Sequence, residues 1–305
     1  MTPPPLPPSS ITVQVPYIKT LRKAPYPAIS PLRPELSQAG KTVLVVGGSV
    51  GIGFAIARAF VQASASHVII TGRREQVLAA SAARLRSEAD GSKTKISSFV
   101  SDMTDVNSSN ALWDGFASAG IVIDVLVLNA MSHGEAKPIL QAGLDATWRV
   151  FETNVRGLLH YAERFAKQEG ARQKYLVNVS TSSIHNFITD APFIPAYGLT
   201  KNAGTLLMQQ IAKDTDPEDV QIVSFHPGGI LSEAARNAGY DERSLDWDDE
   251  NLPGQYAVWC ASAEARFLHG RFALAHWDVD EVKAGPVRER IESDWHFLRI
   301  GVVGL

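Results

Sequence analysis

Residues 42–62 read TVLVVGGSVGIGFAIARAFVQ, an apolar run followed by a glycine-rich turn and a helix-like stretch. Gly47 lets the chain turn off the predicted strand, Gly51 lets the backbone approach a pyrophosphate group, and Gly53 allows the helix to pack closely on the sheet. The helix N-terminus presents unpaired N–H groups and the positive end of the helix dipole to such an anion. The stretch therefore predicts a dinucleotide phosphate-binding turn, with a glycine-rich turn that holds no ligand as the alternative.

Short apolar runs alternate with longer helix-like stretches along the rest of the chain. The runs that predict strands are 43–46, 68–70, 96–100, 121–128, 175–179, 220–225 and 271–276. The stretches that predict helices include 52–62, 75–88 and 200–213. Continuous apolar runs of this length indicate strands that are buried on both faces of a parallel sheet. The alternation predicts an α/β fold with a single Rossmann-type doubly wound parallel sheet in three α/β/α layers.

The first 38 residues differ from the rest because they are rich in proline. Proline fixes φ and removes a backbone donor, which excludes a regular helix or a central strand there. We expect this N-terminal extension to be partly disordered over residues 1–10, and residues 25–36 to lie extended over the domain surface. Residues 39–305 are expected to form the one Rossmann-fold domain, since we find neither an internal repeat nor a second domain.

The chain has 305 residues, a formal net charge of -3 and one cysteine, Cys260. A weakly negative chain without a basic block gives no electrostatic reason to expect nucleic acid as a partner. A lone cysteine excludes an internal disulfide and a cysteine-built metal site, and we expect no metal. The N-terminus lacks a signal-peptide pattern, and no apolar run reaches the roughly 18 residues that span a bilayer. We therefore expect a soluble, cytoplasmic protein that does not bind membranes.

Two arginines follow the second predicted strand, at Arg73 and Arg74. A site for NAD usually places an aspartate or glutamate here, to bind the ribose 2′-hydroxyl. Guanidinium groups suit a 2′-phosphate through charge-assisted, bidentate contacts. Arginine at a helix start is also unfavourable unless an anion lies nearby. We therefore predict NADP(H) as the cofactor, with a solvated basic helix start as the alternative.

Tyr197 and Lys201 stand four residues apart at the start of a helix pattern, so both side chains lie on one helix face. A free tyrosine has a pKa of about 10, which makes it a weak acid–base catalyst at neutral pH. A lysine ammonium nearby favours the phenolate and lowers that pKa. The pair predicts a proton donor for a carbonyl oxygen, although the same spacing also arises by chance on ordinary helix faces.

Several hydroxyl groups follow the predicted strand 175–179, in residues 180–183, which read Ser-Thr-Ser-Ser. Ligands of open α/β folds bind at the carboxyl ends of the strands, where a hydroxyl can hydrogen-bond a developing alkoxide. Asn154 interrupts a helix pattern, and we interpret it as a residue that holds a water molecule or a backbone group. A surface or helix-capping asparagine is the alternative.

In this order the motifs resemble those of the short-chain dehydrogenase/reductase family, over about residues 40–280. The spacing of Gly47, Gly51 and Gly53 is similar to the family's TGxxxGxG turn, with valine in the place of the usual threonine. Asn129 matches the second asparagine of the family's NNAG motif, of which only half is present. The resemblance implies the fold predicted above.

The resemblance also implies the site residues. The catalytic residues are Asn154, Thr181, Tyr197 and Lys201. The cofactor-binding residues are Gly47, Ser49, Gly51, Ile52, Gly53, Arg73, Asp102, Asn129, Tyr197, Lys201, Pro227, Gly228, Ile230 and Ser232. Thr181 occupies the slot of the family's catalytic serine, and Ser180 or Ser182 can serve instead if the loop shifts.

The activity implied is that of an NADP(H)-dependent oxidoreductase acting on CH–OH and C=O groups. In this mechanism Tyr197 supplies a proton, a hydroxyl near Thr181 steadies the substrate oxygen, Lys201 tunes Tyr197 and binds the nicotinamide ribose, and Asn154 anchors a proton-relay water. A redox-inert NADP-binding regulator and a non-redox isomerase or dehydratase are the alternatives. Family members are usually homodimers or homotetramers, so we expect a homo-oligomer.

Two segments are expected to shape the substrate site. The first is 184–196, whose aromatic and aliphatic side chains predict an apolar wall or, alternatively, core packing. These side chains are Phe187, Ile188, Phe193 and Ile194. The second is 231–246, a predicted mobile lid. We expect a small apolar metabolite such as a polyketide-like or alicyclic ketone. Residues 26–36 and 275–280 are similar to a fungal subgroup of the family that is associated with secondary metabolism.

Overall fold

The computed structural model describes residues 17–89, 91–170, 173–184, 194–237 and 239–302. Seven parallel strands form one sheet in the order β3-β2-β1-β4-β5-β6-β7. The strands are β1 (Thr42–Val46), β2 (His67–Gly72), β3 (Lys95–Val100), β4 (Val125–Leu128), β5 (Lys174–Val179), β6 (Val220–His226) and β7 (Arg271–Leu274). The direction of winding reverses between β1 and β4, which confirms the predicted doubly wound parallel sheet and places a crevice at the carboxyl ends of these two strands.

Helices cover both faces of the sheet, which gives the three predicted layers. The helices are α1 (Gly51–Gln62), α2 (Glu75–Glu88), α3 (Val106–Ser118), α4 (Ile139–Phe151), α5 (Gly157–Ala166), α6 (Pro195–Lys213), α7 (Glu233–Asn237), α8 (Asn251–Cys260), α9 (Val279–Lys283) and α10 (Gly285–Ser293). A five-residue π-helical turn, Glu152–Arg156, joins α4 to α5. None of the helices within the described ranges is long and apolar enough to cross a membrane.

The alternation of side chains along β1 divides the core into two layers. Val43 and Val45 face a cluster that contains residues of α1, α2 and α8. Leu44 and Val46 face a second cluster with residues of α3, α5 and α6. All four side chains are at most 3% exposed, and burying an aliphatic side chain of this size stabilises the fold by about 1.5–3 kcal/mol. A strand with two apolar faces can only lie inside a sheet that is covered on both sides.

Several elements differ from the sequence prediction at their ends, among them β4, β7 and α6. β4 begins at Val125 and not at residue 121, and directly before it the Asp124 carboxylate accepts a hydrogen bond from the Thr42 backbone at 2.7 Å. β7 ends at Leu274, where the chain turns. α6 begins at Pro195, five residues earlier than predicted, because proline is pre-set for the first helical position. The first turn of α6 therefore contains Tyr197.

The described part of the N-terminal extension, residues 17–38, packs on the core through two 3-10 turns, Pro27–Ile29 and Pro34–Leu36. Ile29 and Leu36 are fully buried. The hydroxyl of Tyr26 donates to the Trp277 carbonyl at 3.2 Å and accepts from the Val279 backbone at 2.9 Å. The described part of the extension thus packs against the core of the domain, and the predicted disorder of residues 1–10 lies outside the described residues.

Candidate active site

A cleft of about 400 Å³ opens at the crevice between β1 and β4. It contains these predicted cofactor-binding residues: Gly47, Ser49, Gly51, Ile52, Arg73, Asp102, Asn129, Tyr197, Lys201, Pro227 and Ser232. The remaining predicted cofactor residues, Gly53, Gly228 and Ile230, lie close behind it in the same two segments of chain. Residues that are up to 185 positions apart in sequence therefore line one crevice, which we call the cleft.

The glycine-rich turn has the shape that a close-approaching anion needs. Gly47 has a φ of +78°, and a Cβ there would lie 2.8 Å from the Ala130 backbone. A Cβ on Gly53 would lie 2.0 Å from the Gly47 carbonyl oxygen, so the helix and the turn touch only because Gly53 has no side chain. Gly51 has a φ of +51° and meets nothing nearer than the Ser232 side chain, at 3.7 Å. The N-terminus of α1 thus faces open space.

The walls of the cleft are held by short hydrogen bonds. The Asn129 amide donates to the Gly47 carbonyl at 2.9 Å, which ties the end of β4 to the turn after β1. The Asp102 carboxylate accepts from the backbone N–H and the hydroxyl of Thr104, at 2.9 and 2.8 Å. These bonds give the rear of the cleft a fixed shape.

The two arginines at the end of β2 both line the cleft but differ in their partners. Arg74 forms two hydrogen bonds of 2.9 Å with the carboxylate of Glu233, the first residue of α7. Arg73 has no ion-pair partner within the described residues. Glu233 is therefore the anion that an arginine at a helix start requires, and it belongs to the predicted lid segment 231–246. Residue 238 of that segment lies outside the described residues.

Tyr197 and Lys201 face the cleft together from the first two turns of α6. The Thr181 hydroxyl lies beside the Tyr197 phenol. Burial raises the pKa of Tyr197 to about 12, although the polar contact with Thr181 opposes this shift. Burial lowers the pKa of Lys201 to about 8, and its ammonium donates to the Val179 carbonyl at 2.5 Å. The sequence predicted a lowered pKa for Tyr197, but desolvation of the buried phenol raises it instead.

The other residues of the 180–183 stretch make contacts of their own. Ser180 is bonded to the Thr205 hydroxyl at 2.5 Å in a fully buried contact. The Ser182 backbone N–H donates to Nδ1 of His226 at 3.1 Å. Ser183 contacts Thr181 at 3.2 Å. Among these side chains Thr181 is the one that the structure brings to the phenol. Residues 185–193, which contain most of the predicted apolar wall, lie outside the described residues.

Asn154 lies in the π-helical turn and is 1% exposed. Its Oδ1 accepts from the Ser132 backbone N–H at 2.8 Å, and its Nδ2 donates to the Ser132 carbonyl at 2.8 Å and to the Thr200 hydroxyl at 2.9 Å. The side chain therefore grips a backbone segment, which was one of the roles predicted for it. The surface or capping alternative does not describe a buried amide with three hydrogen bonds.

Sequence reasoning missed three residues beside the cleft. Asp248 accepts from the Gly229 backbone at 2.7 Å and from Nε2 of His276 at 2.6 Å, so this pair holds the turn that follows β6. His133 lies against Tyr197, with ring centroids 4.9 Å apart. None of these contacts has a local sequence signal, because the partners are 19 to 64 residues apart. The glycine pair at 228–229 was the one hint that something packs closely there.

Comparison with known proteins places these features in a family. Residues 41–243 match the family model described as short chain dehydrogenase. A short chain dehydrogenase/reductase of Claviceps purpurea is 33% identical over 287 residues, which cover 93% of this chain and 94% of that protein. The short chain dehydrogenase/reductase AacuD of Aspergillus aculeatus is 34% identical over 264 residues, covering 87% of this chain and 89% of AacuD.

Solved structures agree with the fold. The structure described as the Pseudomonas aeruginosa RhlG/NADP active-site complex superposes with a TM-score of 0.70 at 21% sequence identity. The superposition covers 79% of this chain and 97% of that chain. At this level of identity the likeness shows the shared architecture alone.

Proposed function

Because this chain belongs to the short-chain dehydrogenase/reductase family of oxidoreductases, we propose that it reduces the carbonyl group of a small apolar metabolite with NADPH. The observation that carries the proposal is the contact of Thr181 with Tyr197, one helical turn from Lys201, at the wall of a cleft with a glycine-rich turn. A hydroxyl, a phenol and an ammonium in one desolvated site are the groups that polarise a carbonyl and protonate its oxygen.

The residues present fit a dinucleotide with a 2′-phosphate. The open N-terminus of α1 at Gly51 suits the pyrophosphate. Arg73 and Arg74 suit the 2′-phosphate, and they stand directly after β2, where a site for NAD usually has an acidic residue that binds the ribose hydroxyl. The similar RhlG structure is described as a complex of that protein with NADP. When bound, the coenzyme supplies the hydride that the carbonyl carbon accepts.

The chain's own residues supply the proton and the geometry. With a pKa of about 12, the Tyr197 phenol is protonated at neutral pH, so it is ready to give its proton to the substrate oxygen as the carbon accepts the hydride. Thr181 hydrogen-bonds the same oxygen, and the Lys201 charge stabilises the phenolate left behind.

Asn154 acts in this proposal by fixing the segment around Ser132, to which it makes two hydrogen bonds. Its role as the anchor of a proton-relay water stays a prediction. We also keep the cytoplasmic location, the domain boundaries at 1–38 and 39–305 and the mobile lid at 231–246 as predictions. The fungal relatives in Claviceps and Aspergillus accord with a role in secondary metabolism, which is our proposal for the substrate's origin.

A homo-oligomer is the further part of the proposal. Large apolar side chains of α4 are exposed on the face of the molecule formed around α4, α5 and α6, including Leu144 at 77% and Trp148 at 57%. Leu159 of α5 and Leu199 of α6 are 46% exposed. Apolar groups exposed in this way are stabilised by burial against a second copy. Light scattering coupled to size-exclusion chromatography should give the mass of a dimer or tetramer, and Trp148→Glu should lower it.

The test of the activity combines binding with turnover. NADPH should bind more tightly than NADH in calorimetric titrations, and ketones should cause loss of 340 nm absorbance. Tyr197→Phe should lower kcat by about 10²-fold or more while NADPH still binds, because the proton donor is lost. Tyr256→Phe is the matched control, since the Tyr256 hydroxyl is buried without a hydrogen-bond partner in the described part of the chain.

Other outcomes identify the alternatives. Substrate turnover without net NADPH consumption would show an isomerase or dehydratase. Tight NADPH binding without turnover of any ketone, and without any effect of Tyr197→Phe, would show a redox-inert NADP-binding regulator. Tighter binding of NADH would overturn the role given to Arg73 and Arg74.

A further inference from the structure

His133 is a titratable side chain in the cleft that the mechanism above does not use. It follows β4, in the loop 129–134, and lines the same crevice as Tyr197 and Lys201. Its ring is tilted by 44° against the Tyr197 ring, with the centroids 4.9 Å apart. The two rings therefore pack against each other, and both line the cleft as neighbours.

The backbone on both sides of His133 is fixed. Ser132, the preceding residue, is bonded at its N–H and its carbonyl by the buried Asn154 amide. Gly134, the following residue, has a φ of +72°, and a Cβ there would lie 2.7 Å from the Val150 side chain. A loop that is pinned before and after one residue holds that side chain in place, which is the condition for a specific ligand contact.

The imidazole is neutral and has spare hydrogen-bonding capacity. Burial, helped by the positive charge of Lys201, lowers the pKa of His133 below its usual range. A neutral imidazole carries one N–H donor and one acceptor nitrogen. Neither nitrogen is hydrogen-bonded to any residue in the ranges that the structure describes. A half-buried polar group without a protein partner gains stability from a ligand that supplies one.

We propose that His133 is a substrate-binding residue that hydrogen-bonds a second oxygen of the substrate, close to the carbonyl that is reduced. The substrate class is then a hydroxylated ketone, with the hydroxyl on a carbon one to three bonds from the reacting carbonyl carbon. An uncharged hydroxyl matches a neutral imidazole, since it can accept from the N–H or donate to the free nitrogen. This inference rests on the proposed function, because it takes the reacting carbonyl to lie at Tyr197.

The test compares ketones that differ in one hydroxyl. The probes are 1-tetralone, 8-hydroxy-1-tetralone, whose hydroxyl lies beside the carbonyl, and 6-hydroxy-1-tetralone, whose hydroxyl is remote. The unaltered protein should prefer the 8-hydroxy compound over the other two by about three- to tenfold in kcat/KM, the size of one hydrogen bond. The preference should lie mainly in KM, because the hydroxyl is bound equally before and during the reaction.

His133→Phe keeps an aromatic ring against Tyr197 but removes both nitrogens. It should lower kcat/KM for the 8-hydroxy compound about three- to tenfold more than kcat/KM for 1-tetralone, and so abolish the preference, since 1-tetralone has no second oxygen to lose a contact. His133→Gln, which keeps a donor and an acceptor, should restore part of the preference. Equal losses for 1-tetralone and its 8-hydroxy derivative in His133→Phe would assign His133 to the positioning of Tyr197 and overturn the proposal. An unchanged preference in this variant would overturn it too.

Calorimetric binding of the same probes to the protein saturated with NADP⁺ separates this proposal from the proposed function. If no probe is reduced, a preference for 8-hydroxy-1-tetralone that disappears in His133→Phe would uphold the His133 contact and leave the reductase activity as the part that failed. Binding of the three probes with equal affinity, or of none of them, would overturn the contact. Thermal unfolding of each variant confirms that the protein remains folded.

Discussion

Two carboxylates in the connection after β6 form pairs that differ in their exposure to solvent. Glu233 binds Arg74 at the surface, where the two side chains are 49% and 52% exposed. Asp248 binds His276 in the interior, where both side chains are 3% exposed. Water competes for the first pair, so it contributes only about 0–1 kcal/mol. The second pair has no such competitor, and the loss of one partner leaves polar groups buried without hydrogen bonds.

The buried pair is also linked to the N-terminal extension. The His276 carbonyl accepts from the Arg22 backbone at 2.6 Å, and the Asp249 backbone donates to the Lys23 carbonyl at 2.8 Å. The extension thus backs the turn that contains Gly229. The part of the segment around Asp248 is therefore fixed by buried hydrogen bonds and by the N-terminal extension. The part around Glu233, which contacts Arg74 after β2, is held by an exposed ion pair that solvent or a ligand can replace.

The largest expected effect is at the anchored side. Asp248→Ala should lower the free energy of unfolding by about 3–5 kcal/mol, because His276 and the Gly229 N–H lose their buried partner. Urea unfolding at neutral pH measures the loss. Asp248→Asn, which keeps an acceptor for Gly229, should lose clearly less. A loss below about 1 kcal/mol in the alanine variant would show that the buried pair does not stabilise the fold.

Lys201 adds a third case to the exposed and the buried pair, because it is a buried cation without a carboxylate partner in the described residues. Its pKa falls from 10.5 to about 8 on burial, so the unfolded chain binds more protons between these pH values and stability rises with pH there. The shift corresponds to about 3 kcal/mol. Lys201→Met should lack this rise, so the unaltered protein should gain about 3 kcal/mol relative to the variant between about pH 7 and pH 10.5. Urea unfolding across that range checks it.

The exposed Lys213 at the end of the same helix provides the control, since Lys213→Met removes a lysine that is not buried. A parallel pH dependence in the unaltered protein and Lys201→Met would contradict the desolvation of Lys201. Ketone reduction by Lys201→Met should be lost over the whole range, because the phenolate of Tyr197 then has no nearby charge to stabilise it.

A smaller effect tests the packing between the turn and the buried pair. Gly228 has a φ of +106°, and a Cβ there would lie 2.7 Å from the Asp248 carboxylate. Gly40 has a similar positive φ of +83°, but a Cβ there meets nothing within 4 Å. Gly40→Ala should therefore cost about 1 kcal/mol from backbone strain alone. Gly228→Ala should cost about 1–3 kcal/mol more, from the clash. Equal losses of stability in the two variants, measured by thermal unfolding, would show that the Asp248 carboxylate moves away from the new Cβ without cost.

The smallest effect on stability is expected at the exposed pair. Glu233→Gln should change the free energy of unfolding by less than about 0.5 kcal/mol. It should tighten NADPH binding by about two- to fivefold at low salt, because Arg74 no longer has to leave a carboxylate before it binds the 2′-phosphate. NADH binding should stay the same. Titration calorimetry at two salt concentrations measures both.

Glu242→Gln is the matched control for Glu233, because it breaks the exposed pair with Arg236 in the same segment without touching the cleft. Weaker NADPH binding in Glu233→Gln would mean that the carboxylate helps to hold the coenzyme, and the comparison between a replaceable and an anchored contact would then fail.

The parts of the site that sequence could predict are those with a short-range pattern. The Gly47, Gly51 and Gly53 spacing, the arginines after β2 and the pair Tyr197 and Lys201 each lie within seven residues of chain, so their geometry follows from one turn or one helix face. The sequence could not show which hydroxyl after β5 lies beside the Tyr197 phenol, because Ser180 bonds Thr205 of α6. Such a contact between distant segments has no local sequence pattern.

The amino-acid sequence by itself determined the parallel sheet, the glycine-rich turn after β1 and the helix that contains Tyr197 and Lys201, because apolar period, glycine conformation and helix spacing act between near neighbours. Only the tertiary structure decided the direction of the Tyr197 pKa shift, the contact of His133 with that phenol and the burial of Asp248 with His276. The physical reason is that desolvation and packing depend on what the rest of the chain brings to a residue, and neither leaves a local pattern.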